Sequence, residues 1–105
     1  MLINFEGHTL IDEILFKQAK ILVQQKKIHD AIIKYEKIIA EFSFDILADD
    51  AIYFLAKLYQ NELKDFQKSI ALYEKILLDH NGSIYTDDAR KQFRKLRGDN
   101  LSEPL

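Results

Sequence analysis

The side chains that could do chemistry in this 105-residue chain are its histidines and its many carboxylates. His8, His29 and His80 lie far apart and form no helical i, i+4 pair, whereas a closed metal site usually takes its ligands at short spacings. The sequence has no cysteine, which excludes thiol catalysis, disulfides and thiolate metal ligands. It also has no glycine-rich phosphate loop, because Asn81-Gly82 is only a turn signal. We therefore expect no catalytic residues, no metal and no cofactor.

The acidic residues occur as pairs at three places: Asp12-Glu13, Asp49-Asp50 and Asp87-Asp88. Each pair stands just before or at the beginning of an apolar run with helical spacing. Negative charge at a helix N-terminus is favoured by the helix dipole. This position explains the acidic pairs better than general acid–base chemistry does.

Composition narrows the class of protein further. With 48% hydrophobic and 30% charged residues and a net charge of −2, the chain reads as a soluble globular protein. Phosphate backbones require a basic stripe, so nucleic acid is disfavoured and an RNA-binding helical repeat is only a third hypothesis. No apolar run approaches the ~18 residues that a membrane span needs, and no secretory signal is visible.

The strongest pattern is an internal repeat. Asp49-Asp50-Ala51 returns as Asp87-Asp88-Ala89, and residues 35–39 return as 73–77, both at an offset of 38. Residues 18–22 match 55–59 at an offset of 37. Repeats of this length are typical of stacked helix pairs, each too small to bury its apolar face alone.

Apolar periodicity predicts five helices and no strands. Thr9 is the expected N-cap of the first helix, and Gly98 is the expected end of the fifth. Short joints predict that the helices form antiparallel hairpins. The expected helices cover about residues 10–25, 28–42, 47–61, 65–79 and 84–97.

The spacing inside each unit resembles that of the tetratricopeptide repeat. The positions that carry the resemblance are, in the first unit, Leu15, Gln18, Ala19, Leu22, Ala31, Tyr35 and Ser43, and in the second, Ile52, Leu55, Ala56, Tyr59, Ser69, Tyr73 and Asn81. The chain departs from the pattern in lacking tryptophan, in using alanine where the family has glycine, and in having no proline after the second helix. Its period also exceeds the usual ~34 residues, so HEAT-like pairs are the alternative architecture.

The resemblance implies an all-α fold, a right-handed superhelix of antiparallel hairpins. It divides the chain into an N-terminal segment, two repeats, a capping helix and a flexible tail, at residues 1–9, 10–45, 46–83, 84–97 and 98–105. Ser83-Ile84-Tyr85 looks like the segment between repeats in tetratricopeptide arrays of bacterial cell-envelope proteins, such as those of outer-membrane assembly and Tol-Pal systems. This likeness favours a periplasmic or cell-envelope location over a cytoplasmic one.

The two ends of the chain differ. Leu2, Phe5 and Leu10 fall on Ile39, Phe42 and Leu47 at an offset of 37, which predicts that residues 1–9 are the tail of a preceding repeat in a longer array. A short N-terminal arm is the alternative. In the fifth helix, arginine takes the positions that the third gives to Ile52, Ala56 and Tyr59. Burying those charges would be costly, so we expect a solvated cap. The arginines are Arg90, Arg94 and Arg97.

In the tetratricopeptide family, the first helix of each unit lines a groove that binds proteins, so the resemblance implies a non-catalytic interaction scaffold. Lys20, Lys57 and Lys95 would form a row beside Phe16 and Tyr53, suited to an extended acidic or aromatic peptide. The alternative is that these lysines only provide solubility. The expected groove residues are Phe16, Lys20, Tyr53, Lys57, Lys91 and Lys95.

A second hypothesis is a structural module that packs on its own array or on a second copy. An uncovered repeat edge exposes apolar surface, which favours association. The expected self-association edge comprises Leu2, Ile3, Phe5, Ile14 and Ile21.

Overall fold

A computed structural model of the chain describes residues 2–41, 46–80 and 82–99, and the side chains of residues 11–41, 47–80 and 82–98. These residues form five α-helices and no strand, which confirms the all-α prediction. A π-helical turn, Lys95–Asp99, follows the fifth helix. The helices are α1 (Leu2–Gln24), α2 (Ile28–Glu41), α3 (Ile46–Asn61), α4 (Phe66–Asp79) and α5 (Thr86–Arg94).

Two residues that were expected to cap or end a helix do not do so. α1 begins at Leu2, so Thr9 lies inside the helix and does not cap it. The segment contains no proline, and the single Gly7 costs a helix only about 1 kcal/mol. At the other end, Gly98 lies within the π-helical turn and does not end α5. The assignment of residues 1–9 to a preceding repeat stays a prediction.

Both joints contain a lysine in the left-handed backbone region, Lys26 with φ 66° and Lys64 with φ 57°. In the first joint, the Lys27 N–H donates to the Leu22 carbonyl at 2.8 Å, and the Lys26 N–H donates to the Val23 carbonyl at 3.0 Å. This pair of bonds is the Schellman motif, which uses carbonyls that the end of α1 leaves unpaired. It turns the chain sharply enough for α2 to begin at residue 28.

The chain divides into two compact units, Met1–Ala51 and Ile52–Leu105. In the first unit, α1 and α2 form a hairpin. Ala19 and Ala31, two of the positions that carry the family resemblance, are fully buried. The Phe16 ring meets the buried Tyr35 edge-on, with 5.9 Å between centroids and 67° between planes. Burial raises the pKa of Tyr35 to about 12, so its phenol is neutral at neutral pH.

The second unit holds most of α3 together with α4 and α5. The Ser69 hydroxyl donates to the Ala56 carbonyl at 2.9 Å, which joins α3 to α4 where both residues are fully buried. Tyr53 meets Tyr73 edge-on at 6.2 Å and 68°, nearly the geometry of Phe16 and Tyr35 in the first unit. The sequence repeat is therefore also a repeat of packing geometry.

The start of α4 carries the N-cap that the first turn needs. The Asp65 carboxylate accepts a hydrogen bond from the Lys68 N–H at 3.3 Å.

α5 has a different start, because residues 82–85 form a turn. The Ser83 hydroxyl accepts from the Tyr85 N–H at 3.0 Å, and the Thr86 N–H donates to the Ser83 carbonyl at 3.1 Å. This turn moves the start of α5 from the expected residue 84 to Thr86.

Candidate protein-binding surface

A polar surface in the second unit is centred on Asp88 of α5. The Tyr53 hydroxyl donates to Asp88 Oδ2 at 2.5 Å, and Lys57 Nζ lies 3.8 Å from the same oxygen. Gln92 Nε2 donates to Asp88 Oδ1 at 3.5 Å. Tyr53 and Lys57 are one turn apart on α3, as are Asp88 and Gln92 on α5. The helical spacing of four thus aims two side chains from each helix at a common point.

The network continues inward from Gln92. Gln60 Nε2 donates to Gln92 Oε1 at 3.1 Å, and the Tyr73 hydroxyl donates to Gln60 Oε1 at 2.7 Å. Tyr73 lies on α4 and is fully buried. These hydrogen bonds therefore connect α4 to α3 and α3 to α5. A polar network whose members are paired restricts their rotamers and holds the helices in one arrangement.

The charges of this surface are well defined. The hydrogen bond from Tyr53 lowers the pKa of Asp88, and Gln92, Lys57 and Lys91 also lower it against the opposing effect of burial. Burial, followed by the bond to Asp88, raises the pKa of Tyr53. Burial likewise raises the pKa of Tyr73. At neutral pH the surface therefore contains a carboxylate held by neutral phenol and amide donors and by a lysine.

Because the pKa of Asp88 is lower in the folded chain than its ordinary value of 3.8, its ionised form contributes stability above that value. This contribution is lost as pH falls through the lowered pKa. We expect Asp88→Asn to reduce the free energy of unfolding by about 1 kcal/mol at pH 7, the usual net value of a lost charged hydrogen bond at a half-exposed site. Urea denaturation at pH 7 and at an acidic pH below 3.8 measures the difference, which should shrink as the pH falls. An equal deficit at both values would contradict the assignment.

Aromatic rings border the network. Tyr85 stacks on Tyr53 with 4.2 Å between centroids and 14° between planes, and Phe54 meets both rings edge-on. Lys57 Nζ lies 5.4 Å from the Tyr53 centroid. The Tyr53 ring is therefore engaged within the unit, and a ligand would meet mainly its edge and its paired hydroxyl.

Of the expected groove residues, the second unit brings Tyr53 and Lys57 together, while Lys91 and Lys95 are exposed. The expectation did not include Gln92 or give a role to Tyr85. Gln92 lies four residues after Asp88, a spacing that marks it as a same-face neighbour. No sequence signal indicated the stacking of Tyr85 on Tyr53, because it depends on the turn before α5.

The first unit repeats part of this arrangement. Lys20 Nζ lies 5.5 Å from the Phe16 centroid, which matches the distance between Lys57 and Tyr53. Phe16 is half-buried and Lys20 is exposed. Both units therefore place a lysine over an aromatic ring one turn earlier on their first helix. The row of Lys20, Lys57 and Lys95 spans both units and stays a prediction.

Other expected residues lie elsewhere. Ile14 and Ile21 are exposed on α1, with 49% and 51% of their surfaces accessible. The side chains of Leu2, Ile3 and Phe5 lie outside the described residues. Within the described part of the chain, no group of histidine and carboxylate side chains could hold a metal ion. Among the same residues, no helix combines the length and apolar character of a membrane span.

Antiparallel helix hairpins with small residues at the crossing and a tyrosine beside them define a helical-repeat protein. The family model of the tetratricopeptide repeat matches residues 13–44, so the first hairpin is a tetratricopeptide repeat. Comparison with curated proteins and with solved structures gave no match. Tetratricopeptide repeats are generally protein-interaction modules and are typically non-catalytic scaffolds.

Proposed function

We propose that the chain is a non-catalytic scaffold that binds an extended segment of a partner protein on the faces of its first helices. The observation that supports this most directly is the network around Asp88 on α3 and α5. It orders polar side chains that are only half-buried, including Lys57 and Gln92. Side chains ordered before binding lose less conformational entropy on binding, which favours affinity.

The charges of this surface favour an acidic segment. Lys91 and Lys95 are exposed one turn apart, and the Lys57 side chain is 34% exposed. Asp88, the carboxylate among them, is already paired with Lys57 and Tyr53. Lysines outnumber Asp88 here, and a positively charged surface attracts carboxylates over long range and selects against basic partners. Acidic side chains are favoured over aromatic ones because Tyr85 already covers a face of Tyr53.

Peptides of about twelve residues, long enough to cross a helical groove, can be selected by phage display on the intact chain at low salt. We expect the selected peptides to be enriched in Asp and Glu. The best peptide, labelled with fluorescein, should lose at least about tenfold in affinity on Lys91→Glu combined with Lys95→Glu, since two charge contacts amount to about 1.4 kcal/mol. Fluorescence anisotropy measures the dissociation constant.

The matched control is Arg90→Glu combined with Arg94→Glu, which changes the net charge by the same amount at positions one residue earlier. This control should retain most of the affinity. An equal loss in both double variants would show attraction to net charge alone. Selection without acidic enrichment would also contradict the proposal.

A further inference from the structure

One side of α1 carries a line of apolar side chains that the described residues leave uncovered. Its members, here called the isoleucine stripe, are Ile11, Ile14, Gln18 and Ile21. The isoleucines are 45%, 49% and 51% exposed, and Gln18 is also exposed. The spacing of three, four and three residues is that of the a and d positions of a heptad. Such a narrow line is typical of a seam between two helices.

The internal repeat indicates that these positions of α1 are suited to packing against another helix. At an offset of 37, the four positions of the isoleucine stripe correspond to four positions of α3. Those α3 residues have exposed fractions of 0%, 0%, 2% and 6%. Equivalent positions of the repeat are therefore buried on α3 and exposed on α1. The corresponding α3 residues are Ala48, Ala51, Leu55 and Leu58.

We propose that the isoleucine stripe binds a second copy of this chain, with α1 packed on α1 about a two-fold axis. A line of like residues is complementary to itself, as an interface between identical surfaces requires. Packing of the stripe on the last helix of another copy is disfavoured. Arg90 and Arg94 are exposed there, and burying guanidinium groups against isoleucine is unfavourable.

Gln18 decides the direction of the two helices. In a parallel, in-register pair, each Gln18 faces its counterpart, and the two amides can hydrogen-bond to each other. In an antiparallel pair that aligns Ile11 with Ile21, Gln18 would face Ile14 and its amide would be left without such a partner, which is costly in a seam. A single polar residue at an a position commonly sets register in this way. The arrangement is therefore parallel.

A hollow beside the stripe supports the same interface. Gln18, Ile21, Leu22 and Lys34 line a space of about 280 Å³ between α1 and α2. The hollow borders Gln18 and Ile21 of the stripe and gives room for a side chain that flanks the seam.

This surface is separate from the proposed peptide groove. At about 100° per residue along a helix, Phe16 lies about 200° around α1 from Ile14. Substitutions in the isoleucine stripe therefore leave Phe16 and Lys20 untouched. The dimer and the peptide-binding function can fail independently of each other.

Sedimentation equilibrium of the intact chain tests the dimer from about 10 μM to about 1 mM, the range expected for a small seam. The average mass should rise from 12.3 kDa toward twice that value. Ile14→Glu combined with Ile21→Glu should hold it at 12.3 kDa, with helicity unchanged by circular dichroism. Leu78→Glu, at a residue that is 72% exposed on α4, is the control and should associate like the parent chain.

A parent chain that stays monomeric throughout this range overturns the proposal, as does dissociation by the Leu78 control. Cross-linking then tests the pairing itself, since the chain has no cysteine of its own. Ile14→Cys should form a disulfide dimer within the associated population, because parallel d positions face each other. Leu78→Cys should not. Equal cross-linking of the two variants, or none at Ile14→Cys, overturns the parallel two-fold arrangement.

Discussion

Replacing Tyr73 with alanine is expected to lower the free energy of unfolding by about 3–5 kcal/mol, as for other large aromatic residues deleted from a core. Tyr73 is fully buried, and its ring packs edge-on against Tyr53. Its hydroxyl donates to Gln60 and so begins the network that joins α4 to α3 and α5. Truncation would leave a cavity and an amide without its buried donor. Urea denaturation followed by circular dichroism measures the loss.

Two further variants separate the ring from the hydroxyl. Tyr73→Phe keeps the packing and removes only the bond to Gln60, so we expect a loss of about 1 kcal/mol. Phe66→Ala removes an aromatic ring from the same helix at a position that is 45% exposed, and should cost less than the core truncation. If Tyr73→Ala is no more destabilising than Phe66→Ala, Tyr73 is not the centre of the second unit's core.

The second large effect is expected where α3 and α4 cross. Ala56→Leu should reduce the free energy of unfolding by about 1–3 kcal/mol or more, because the added side chain overfills a packed site. Ala56 is fully buried, and its carbonyl accepts the hydrogen bond from the equally buried Ser69. A larger side chain would push the two backbones apart and stretch that bond. Thermal and urea denaturation measure the change.

Ala71→Leu is the matched control for this substitution. Ala71 is exposed on α4, where both residue types are good helix formers, so the same change should be nearly neutral. Equal destabilisation by the two variants would mean that the effect comes from helix propensity or solubility. Unchanged stability on Ala56→Leu would contradict the close approach of α3 and α4 at that position.

Much of the fold could be predicted because apolar spacing and joint length are local properties. α2, α3 and α4 begin and end within a residue of the expected positions. Ala19 and Ala56 carry the family resemblance in the sequence, and both are fully buried. The ends of α1 and α5 were harder to predict. Thr9 has the chemistry of an N-cap, but a cap residue acts only where the preceding chain leaves the helix.

The candidate site could be predicted only in part. The repeat placed Tyr53 and Lys57 at groove positions, and the structure joins both side chains to Asp88. In the structure, the Tyr53 ring also stacks on Tyr85. This stacking covers one face of the ring, so the surface suits an acidic ligand better than an aromatic one. That stacking depends on how the turn at residues 82–85 delivers Tyr85 to α3, a long-range geometry with no periodic signal in the sequence.

The sequence by itself determined the hairpin repeat, because a helix must bury its apolar side chains and their spacing can be read directly from the sequence. It also determined which helix positions are small and which carry charge. Only the tertiary structure decided which charges are paired and which ring faces remain open. The physical reason is that pairing and burial are properties of what lies opposite a side chain, and residues with the same local pattern have different neighbours in space.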